Sequence, residues 1–274
     1  MRVAFQGEPG AYSEEAVIRL CGEVETVPAP RLPDVFEAVS AGRADRGVVP
    51  VENSQAGTIN ETYDLLLAHE LVIGGELDLR VSHCLMALPG QTLGEIRQAY
   101  SHPQALAQCE RYLKGLGVEP VAFYDTAGSA KMIRAEQRLG AAAVASRRAA
   151  EIYGLTVLAS EIETNPHNYT RFLGIGLTPA PRTARSKTSV VFVVQNRPAA
   201  LYRVLGALAA RHINMAKIES RPLRIGSWEY VFYMDFDGHA DDPDVQAAIE
   251  EMRAHTSMLR VLGSYAPASE PAAP

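Results

Sequence analysis

Short apolar runs alternate with amphipathic stretches along the N-terminal part of the chain. Residues 3–5, 47–51 and 141–145 are apolar runs of strand length, whereas residues 126–138 and 147–153 read as helices. Because strands alternate with helices throughout, the pattern predicts α/β layering with parallel sheets.

The composition changes at residues 179–186, where two prolines, two arginines and small residues are typical of a linker. Beyond this linker the pattern follows the order βαββαβ, which is the ferredoxin-like order. The first helix of that order carries a one-sided apolar stripe at spacings i, i+3, i+4 and i+7. The stripe consists of Leu201, Val204, Leu205 and Leu208. Residues 266–274 are rich in Pro and Ala and are predicted to be a disordered tail.

Composition and charge narrow the classes of function. The 274 residues are 47% hydrophobic and 21% charged, which is ordinary for globular proteins and sufficient for one large or two smaller cores. The net charge is -6 and no basic block occurs, so binding to nucleic acid or to anionic membranes has little support. An anionic substrate would have to be neutralised locally, inside a site.

The cysteines and the N-terminal segment predict a cytoplasmic protein. Cys21, Cys84 and Cys109 are odd in number and widely spaced, so neither a disulfide framework nor a zinc site is indicated. Residues 1–7 read as a short strand followed by a glycine turn, which is unlike a signal peptide. No apolar run approaches the length of a membrane span.

Polar residues cluster in five segments. Four of them follow predicted strands (7–13, 50–54, 101–104 and 125–129), and the fifth, 165–172, leads directly into an apolar run. In open α/β sheets, ligands bind at such carboxyl ends of strands, and helix N-termini there favour anions. The segments are rich in Ser, Thr, Asn, Gln and His, and no nucleophile elbow, Walker loop or zinc-protease motif is present. Such a site suits a dianionic substrate whose reaction needs orientation and weak acid assistance.

Most of these segments also have a structural explanation, although a cap would explain only one of the three polar residues at 52–54. Ser13, Ser101 and Asp125 each stand where they could cap a helix. His102 could be an ordinary surface residue, and Arg171 could form a surface ion pair. The segments become informative only when they are taken together.

Together the segments resemble the prephenate dehydratase family, in its monofunctional form with a C-terminal ACT domain. The resemblance covers residues 1 to about 265, and its motifs are specific by their order. They are 7–13 (GEPGAYS), 50–54 (PVENS) with Gly57 and 64–66 (DLL), 101–106 (SHPQAL), 125–127 (DTA), 168–172 (NYTRF) and 217–222 (KIESRP).

The resemblance implies a bilobed, periplasmic-binding-protein-like catalytic domain of two α/β subdomains, followed by a ferredoxin-like ACT regulatory domain. The catalytic domain would comprise residues 1–178. Its subdomains would be about 1–77 plus 172–178, and 78–171. The ACT domain would comprise residues 187–265.

The activity implied is the conversion of prephenate to phenylpyruvate, water and carbon dioxide in phenylalanine biosynthesis, by a lyase without metal or cofactor. The resemblance makes Thr170 the catalytic residue, which either protonates the departing hydroxyl or only holds it by a hydrogen bond. Arg171 is expected to bind a substrate carboxylate, with Phe172 packed behind it. Further substrate-binding residues are expected to be Asn53, Ser54, Ser101, His102, Gln104 and Thr126.

Family members are homodimers or homotetramers in which phenylalanine binds between ACT domains as an allosteric effector. The expected effector residues are Ala199, Ala200, Leu201, Asn214, Glu219, Ser220, Arg221 and Pro222. The usual Pro-Gly-Ala-Leu turn of the family is Pro-Ala-Ala-Leu at 198–201, so Ala199 could narrow the effector pocket or change its preference.

Two other functions remain open from the sequence. An arogenate dehydratase would use the same fold on a substrate whose side chain carries an amino group in place of the keto oxygen. A non-catalytic amino-acid sensor would only bind ligands, but the presence of Asn53, Gln104, Thr170 and Arg171 counts against it. Because the sequence starts with the first predicted strand, no preceding helical domain such as a chorismate mutase is expected.

Overall fold

The computed structural model describes residues 1–222 and 230–268. Within these residues the chain forms fifteen β-strands and nine α-helices, and the strands build three sheets. Two of the sheets are interleaved with helices along the chain, and the third is an antiparallel sheet near the C-terminus. This mixed α/β architecture confirms the predicted fold class.

The first sheet contains β1 (Arg2–Gln6), β2 (Glu25–Ala29), β3 (Arg46–Asn53), β4 (Gly57–Thr58), β5 (Val72–Arg80) and β11 (Tyr169–Gly176). The order is β2-β1-β3-β11-β5, and β4 pairs with β3 as an antiparallel hairpin. Successive residues Val3, Ala4 and Phe5 are all fully buried, which is typical of a parallel strand covered on both faces. The helices of this part of the chain are α1 (Tyr12–Cys21), α2 (Leu32–Ser40) and α3 (Asn60–Ala68).

The second sheet contains β6 (Cys84–Ala87), β7 (Gln98–Ser101), β8 (Glu119–Ala122), β9 (Ala141–Ala145) and β10 (Thr156–Ala159). The helices between these strands are α4 (Pro103–Gln108), α5 (Glu110–Leu116), α6 (Thr126–Glu136) and α7 (Arg147–Tyr153). The strand order is β10-β6-β9-β7-β8.

The second sheet is mixed, so the prediction of parallel sheets throughout is wrong here. β7 is parallel to β8 and β9, but β6 is antiparallel to β9 and β10. Parallel pairing of consecutive strands needs a crossover connection. β6 instead follows β5 of the other sheet after three residues, without a helix between them.

The third sheet contains β12 (Lys187–Val194), β13 (Met215–Pro222), β14 (Tyr230–Asp237) and β15 (Met258–Tyr265), with α8 (Ala200–Ala209) and α9 (Pro243–Arg253). Its order is β13-β14-β12-β15, and every adjacent pair is antiparallel. This confirms the predicted βαββαβ order. Val204 and Leu208 of the predicted apolar stripe are buried in one core with Phe192 and Phe236. Of the predicted tail, residues 266–268 lack regular structure, and 269–274 lie outside the described residues.

The chain divides into two compact units. The first comprises Met1–Ile59 with Asp78–Phe172, and the second comprises Asn60–Leu77 with Leu173–Pro274. These units differ from the domains expected from the sequence, because α3 and most of β5 group with the C-terminal sheet. The expected domain boundaries stay a prediction. No helix of the described residues is long and apolar enough to cross a membrane.

Candidate active site

A cavity of about 260 Å³ lies within the first unit, where the ends of several strands meet the starts of α1, α4 and α6. Five predicted site residues line it: Asn53, His102, Gln104, Thr126 and Thr170. The other lining residues are Gln6, Ala11, Tyr12, Ser13, Val81, His83, Ala105, Gln108, Tyr124 and Asp125. A larger groove of about 690 Å³ shares Gln104 and Gln108 with this cavity. We take the smaller cavity as the site because the predicted strand-end segments converge there.

The glycine-rich loop before α1 is held tightly against α7. Gly10 has φ +90°, and a Cβ added there would lie 2.7 Å from the Cα of Ala149, so glycine is required. The hydroxyl of Ser146 donates to the carbonyl of Gly10 at 2.6 Å. The cap of α1 is Ala11, which makes no side-chain hydrogen bond. Ser13 therefore does not cap this helix as its position suggested, but lines the cavity.

Asn53 lies at the end of β3, buried to 6% exposure, and its amide orientation is defined by its neighbours. Its Oδ1 accepts hydrogen bonds from the backbone N–H groups of Gln55 and Ala56, at 3.0 and 2.9 Å. Its Nδ2 lies 2.9 Å from Oδ1 of Asn168 and 2.9 Å from Oγ1 of Thr170, and can donate to both. Asn53 thus connects the β3 loop with the start of β11.

Thr170 lies on β11, is 9% exposed and lines the cavity. Its hydroxyl oxygen accepts from Asn53, but its own proton has no acceptor among residues 1–222 and 230–268. A hydroxyl that already accepts one hydrogen bond can still donate one. The geometry therefore leaves the Thr170 proton available to a group bound in the cavity.

Two of the predicted serines do not line the cavity. Ser101 is the last residue of β7, is fully buried, and donates to the carbonyl of Val144 at 2.5 Å. Its predicted role as a helix cap belongs instead to His102, whose Nδ1 accepts from the backbone of Gln104 at 3.3 Å. Ser54 is exposed, and its hydroxyl accepts from the backbone N–H of Tyr169 at 2.9 Å. Both serines hold the loops around the site together.

Arg171 and Phe172 also depart from the prediction. The guanidinium of Arg171 makes two hydrogen bonds to the carboxylate of Asp78, at 2.9 and 3.2 Å, and lies 3.8 Å from Glu52. Neither Arg171 nor Phe172 lines the cavity. Phe172 is 2% exposed and belongs to the hydrophobic core. Residues alternate along a strand, so Thr170 faces the cavity while Arg171 faces away from it.

Sequence reasoning missed three residues that complete the site: Tyr12, His83 and Gln108. Tyr12 O–H lies 2.9 Å from Nδ1 of His83, and Nε2 of His83 lies 2.9 Å from Oε1 of Gln108. Gln108 also accepts from Asn168 at 3.1 Å. His83 stands in an extended segment and Gln108 at a helix end, with no motif around either. The only signal was that His83 stands directly before the apolar run 84–88.

The electrostatics of the cavity depend on burial. Burial raises the pKa of the Asp125 carboxyl, and the nearby Glu8 raises it further, although the hydrogen bond from Gly128 opposes the shift. Burial lowers the pKa of His83. Asp125 caps α6 by accepting from Gly128 at 2.6 Å, as the sequence predicted.

No Arg or Lys is among the residues that line the cavity. The starts of α1 and α6 meet there, so backbone N–H groups and helix dipoles supply positive potential for an anion. In the part of the chain that the structure describes, no group of three or more His, Cys, Asp or Glu residues is arranged to hold a metal ion.

The predicted effector residues lie in the second unit. Ala199 precedes α8 with φ 62°, a left-handed conformation that favours glycine. Asn214 donates to Asp237 at 3.2 Å. Glu219, Ser220, Arg221 and Pro222 belong to β13. Arg221 is 8% exposed and makes two hydrogen bonds to Asp64, at 3.0 and 2.9 Å. Its guanidinium is therefore engaged by α3 within this chain, and its expected role in binding an effector stays a prediction.

Comparison with known proteins identifies the family. The model of the family "Prephenate dehydratase" matches residues 3–180, and that of "ACT domain" matches residues 188–254. Arogenate dehydratase/prephenate dehydratase 2, chloroplastic, from Arabidopsis thaliana is 45% identical, over 97% of this chain and 72% of that protein. Arogenate dehydratase 1 from Petunia hybrida is 46% identical, over 97% and 66%.

Two solved structures are similar over almost the whole chain. The prephenate dehydratase from Arthrobacter aurescens, in complex with L-Phe, has a TM-score of 0.89 and 33% identity, covering 97% of this chain and 90% of that one. A structure described as GqqA, a novel type of quorum quenching acylase, has a TM-score of 0.91 and 38% identity, covering 98% and 99%.

The relatives also correct one expectation. Several are named as chloroplastic, which contradicts the cytoplasmic location predicted from the sequence, so that prediction is wrong. Compartments are assigned by targeting segments that receptors recognise, and the composition of a folded enzyme carries no such signal. Fold, motif order and both family matches agree, and the chain belongs to the prephenate dehydratase family, whose dehydratases are lyases.

Proposed function

We propose that this protein is a prephenate dehydratase, which converts prephenate to phenylpyruvate, water and carbon dioxide. The observation that carries the proposal is the uncommitted proton of Thr170 at the wall of a polar cavity. Apart from the carboxyl of Asp125, the polar lining groups are hydroxyl, amide and imidazole side chains together with the helix starts, which suit a substrate with two carboxylates.

In the proposed reaction the ring carboxylate leaves as carbon dioxide while the C–O bond to the ring hydroxyl breaks. The electron pair from the breaking C–C bond enters the ring, which becomes aromatic, and the departing hydroxyl needs one proton to leave as water. Thr170 donates a hydrogen bond to that oxygen. Threonine is a weak acid, so its contribution is to stabilise charge that develops on the leaving oxygen.

The substrate carboxylates are proposed to bind at the starts of α1 and α6, beside Ser13 and Thr126. These sites take the place of Arg171 as the proposed carboxylate ligand, because the guanidinium of Arg171 donates two hydrogen bonds to Asp78. Gln104 and His102 lie on the same cavity wall at the start of α4 and can donate further hydrogen bonds.

Arogenate is the second candidate substrate, and two observations favour it. Curated relatives that are 46% identical are named arogenate dehydratase. Asp125 also presents a carboxyl group to the cavity, where an ionised carboxylate would pair with the amino group of arogenate. A protonated Asp125, favoured by its raised pKa, would instead donate to the keto oxygen of prephenate.

Although the structure resembles that of an acylase, no hydroxyl among the described residues of this cavity is activated as a nucleophile. Hydrolytic acyl transfer needs a hydroxyl next to a base that takes its proton. The hydrogen-bond partner of Thr170 is the amide of Asn53, which cannot act as a base. Among the described residues neither Ser13 nor Thr126 has a side-chain hydrogen bond to a histidine.

We further propose that L-phenylalanine regulates the enzyme through the C-terminal domain, in a homodimer or homotetramer. The support is the ACT family match and the described L-Phe complex of the Arthrobacter aurescens enzyme. Ala199, where the family usually has glycine, is expected to influence the affinity. Titration calorimetry with L-Phe tests this proposal directly, and the absence of heat and of inhibition would reject it.

The decisive experiment measures product formation from prephenate and from arogenate, each with and without added L-Phe. Phenylpyruvate from prephenate supports the first proposal, and phenylalanine from arogenate supports the second. An N-acyl amide is included as a third substrate, since its hydrolysis would favour an acylase activity. Product from none of the three would leave a ligand-binding function without catalysis.

A further inference from the structure

We propose that His83 is a positioning residue for Thr170, and that it acts through a directed chain of hydrogen bonds that runs through Gln108, Asn168 and Asn53. The proposal rests on the proposed dehydratase function, in which the proton of Thr170 must point at the substrate. All residues of this hydrogen-bond series lie in the first unit, and His83, Asn168, Asn53 and Thr170 are each at most 9% exposed.

Asn53 determines which groups donate and which accept along this hydrogen-bond series. Its Oδ1 accepts from two backbone N–H groups, of Gln55 and Ala56. Rotating the amide by 180° would place N–H groups against N–H groups, so Nδ2 has to face Asn168 and Thr170. A backbone donor cannot change its role, and it therefore fixes the amide orientation that the side chains alone would leave open.

The orientation of Asn53 determines that of the next two amides. Asn168 must present Oδ1 to the Nδ2 of Asn53, which leaves its own Nδ2 to donate to Oε1 of Gln108 at 3.1 Å. Asn168 is fully buried, so a reversed amide would leave unpaired polar atoms at a cost of about 1–3 kcal/mol each.

The proton on His83 is assigned in the same way. Oε1 of Gln108 accepts, so the Nε2 that faces it at 2.9 Å must carry hydrogen. Burial lowers the pKa of His83 and so favours neutral imidazole, which leaves Nδ1 without a proton. Tyr12 donates its single proton to the carbonyl of Ser82 at 2.7 Å, and Nδ1 of His83 lies 2.9 Å from the same hydroxyl and can share that proton. The backbone N–H of His83 donates to Glu163 at 2.9 Å, which holds the backbone that carries the ring.

At the end of the hydrogen-bond series, the hydroxyl proton of Thr170 has no acceptor among the described residues. Asn53 has two N–H protons for Asn168, Thr170 and the carbonyl of Tyr169, and the contact with Tyr169 is the longest at 3.1 Å. Thr170 therefore accepts on one side and donates only towards the cavity. Loss of the His83 donor would leave Oε1 of Gln108 with one donor instead of two, and Asn168, which donates to the same oxygen, would hold Asn53 and Thr170 less firmly in place.

The first test compares His83→Gln with His83→Leu. Glutamine offers an N–H that can replace Nε2–H, whereas leucine fills the space without a donor. We expect His83→Leu to lower kcat by at least about tenfold with little change in KM, and His83→Gln to recover much of the loss. Equal activity of both variants and wild type would overturn the proposal.

The second test reverses one donor and does not depend on how His83 variants fold. Asn53→Asp keeps the acceptor for the backbone N–H groups but offers the Thr170 proton a second acceptor. We expect kcat to fall at neutral pH and to recover partly as the pH falls and the introduced carboxylate binds a proton. The side chains that face position 53 are Asn168 and Thr170, which do not titrate in that range. A loss of kcat that does not recover in acid would overturn the proposal.

Failure of the proposed function looks different from failure of this inference. Wild-type protein that forms product from neither prephenate nor arogenate overturns both. Wild-type turnover with unaffected His83→Leu overturns the hydrogen-bond chain alone. Gln108→Glu independently checks which groups donate and which accept, because a carboxylate at 108 can accept from both His83 and Asn168. It should keep more activity than Gln108→Leu, and equal activity of the two would count against the assigned direction.

Discussion

Arg171 and Asp78 form a two-pronged ion pair, with Nε donating to Oδ1 at 2.9 Å and Nη2 donating to Oδ2 at 3.2 Å. The pair joins adjacent strands of the first sheet beside Thr170. An arginine next to Thr170, the proposed catalytic residue, would be a natural ligand for a substrate carboxylate. The pair instead assigns it to holding β11 and β5 in register.

We expect Asp78→Asn and Arg171→Lys each to lower the free energy of unfolding. The double variant should lose less free energy than the sum of the two single losses. Contacting charged residues are typically coupled by about 0.5–3 kcal/mol. Urea unfolding of the four proteins measures the coupling, and steady-state kinetics on the same samples measures KM. If Asp78→Asn lowered KM, the freed Arg171 would be binding substrate, and our assignment would be wrong.

Removing the Thr170 hydroxyl should affect catalysis and leave the fold intact. Thr170→Val keeps the shape of the side chain but has no proton to donate, so we expect kcat to fall by at least about tenfold. Thr170→Ser keeps the hydroxyl and should retain more activity. Circular dichroism confirms folding. An unchanged kcat in a folded Thr170→Val protein would remove Thr170 from the mechanism.

Asp125→Asn should separate the two candidate substrates. Asparagine also caps helices, so α6 should form normally. A charge-assisted hydrogen bond contributes about 1.5–3 kcal/mol, and its loss should raise KM for arogenate by about tenfold or more. KM for prephenate should change less, because the keto oxygen carries no charge. Equal effects on both substrates would mean that Asp125 does not contact the side-chain amino group.

Glu14 should contribute a pH-dependent part of the stability. Burial opposes its ionisation, but hydrogen bonds from Arg148, the Gly10 backbone and Thr26 outweigh burial and lower the pKa of this carboxyl below 4.5. A lowered folded-state pKa means that the stabilisation is present above the unfolded value and is lost as the pH falls through the folded value.

The measurement compares Glu14→Gln with wild type by urea unfolding at several pH values. At neutral pH we expect a loss of about 2 kcal/mol, and the difference should shrink below pH 4.5. Glu15→Gln is the matched control, since Glu15 pairs with Arg19 on the surface and should contribute at most about 1 kcal/mol. A difference that is constant with pH would contradict the assignment.

Ala199→Gly should stabilise the start of α8. Ala199 has φ 62°, where a side chain costs about 1–2 kcal/mol and glycine costs nothing. The greater chain entropy of glycine when unfolded offsets part of this gain. Hydrogen exchange of α8 amides in the full chain measures the local effect. Ala200→Gly, one residue later and inside the helix, should have the opposite sign.

Much of the site could be predicted from short segments of the sequence. Asn53, His102, Gln104, Thr126 and Thr170 were proposed from strand-end segments, and all five line one cavity. The strand-end rule works because the ends of parallel strands meet at one edge of a sheet. Asp125 was predicted to cap α6 and does so, because capping depends on residues three positions apart.

The predicted residues that lie outside the cavity were included because one residue of a motif was assumed to share the role of its neighbour. Ser101 is next to His102, and Arg171 is next to Thr170. Only His102 and Thr170 line the cavity. Side chains alternate across a strand, so adjacent residues have different surroundings. A motif places a segment at the site without saying which side chain enters it.

By itself the sequence determined the segments that form the site and the βαββαβ order of the C-terminal sheet, because both follow from local periodicity and chain order. Tertiary structure alone decided the partner of each polar group. Arg171 finds Asp78 at a sequence separation of 93, and Asn53 finds Thr170 at a separation of 117. Hydrogen bonds and ion pairs act over a few ångströms of space, and only folding brings such distant residues within that range.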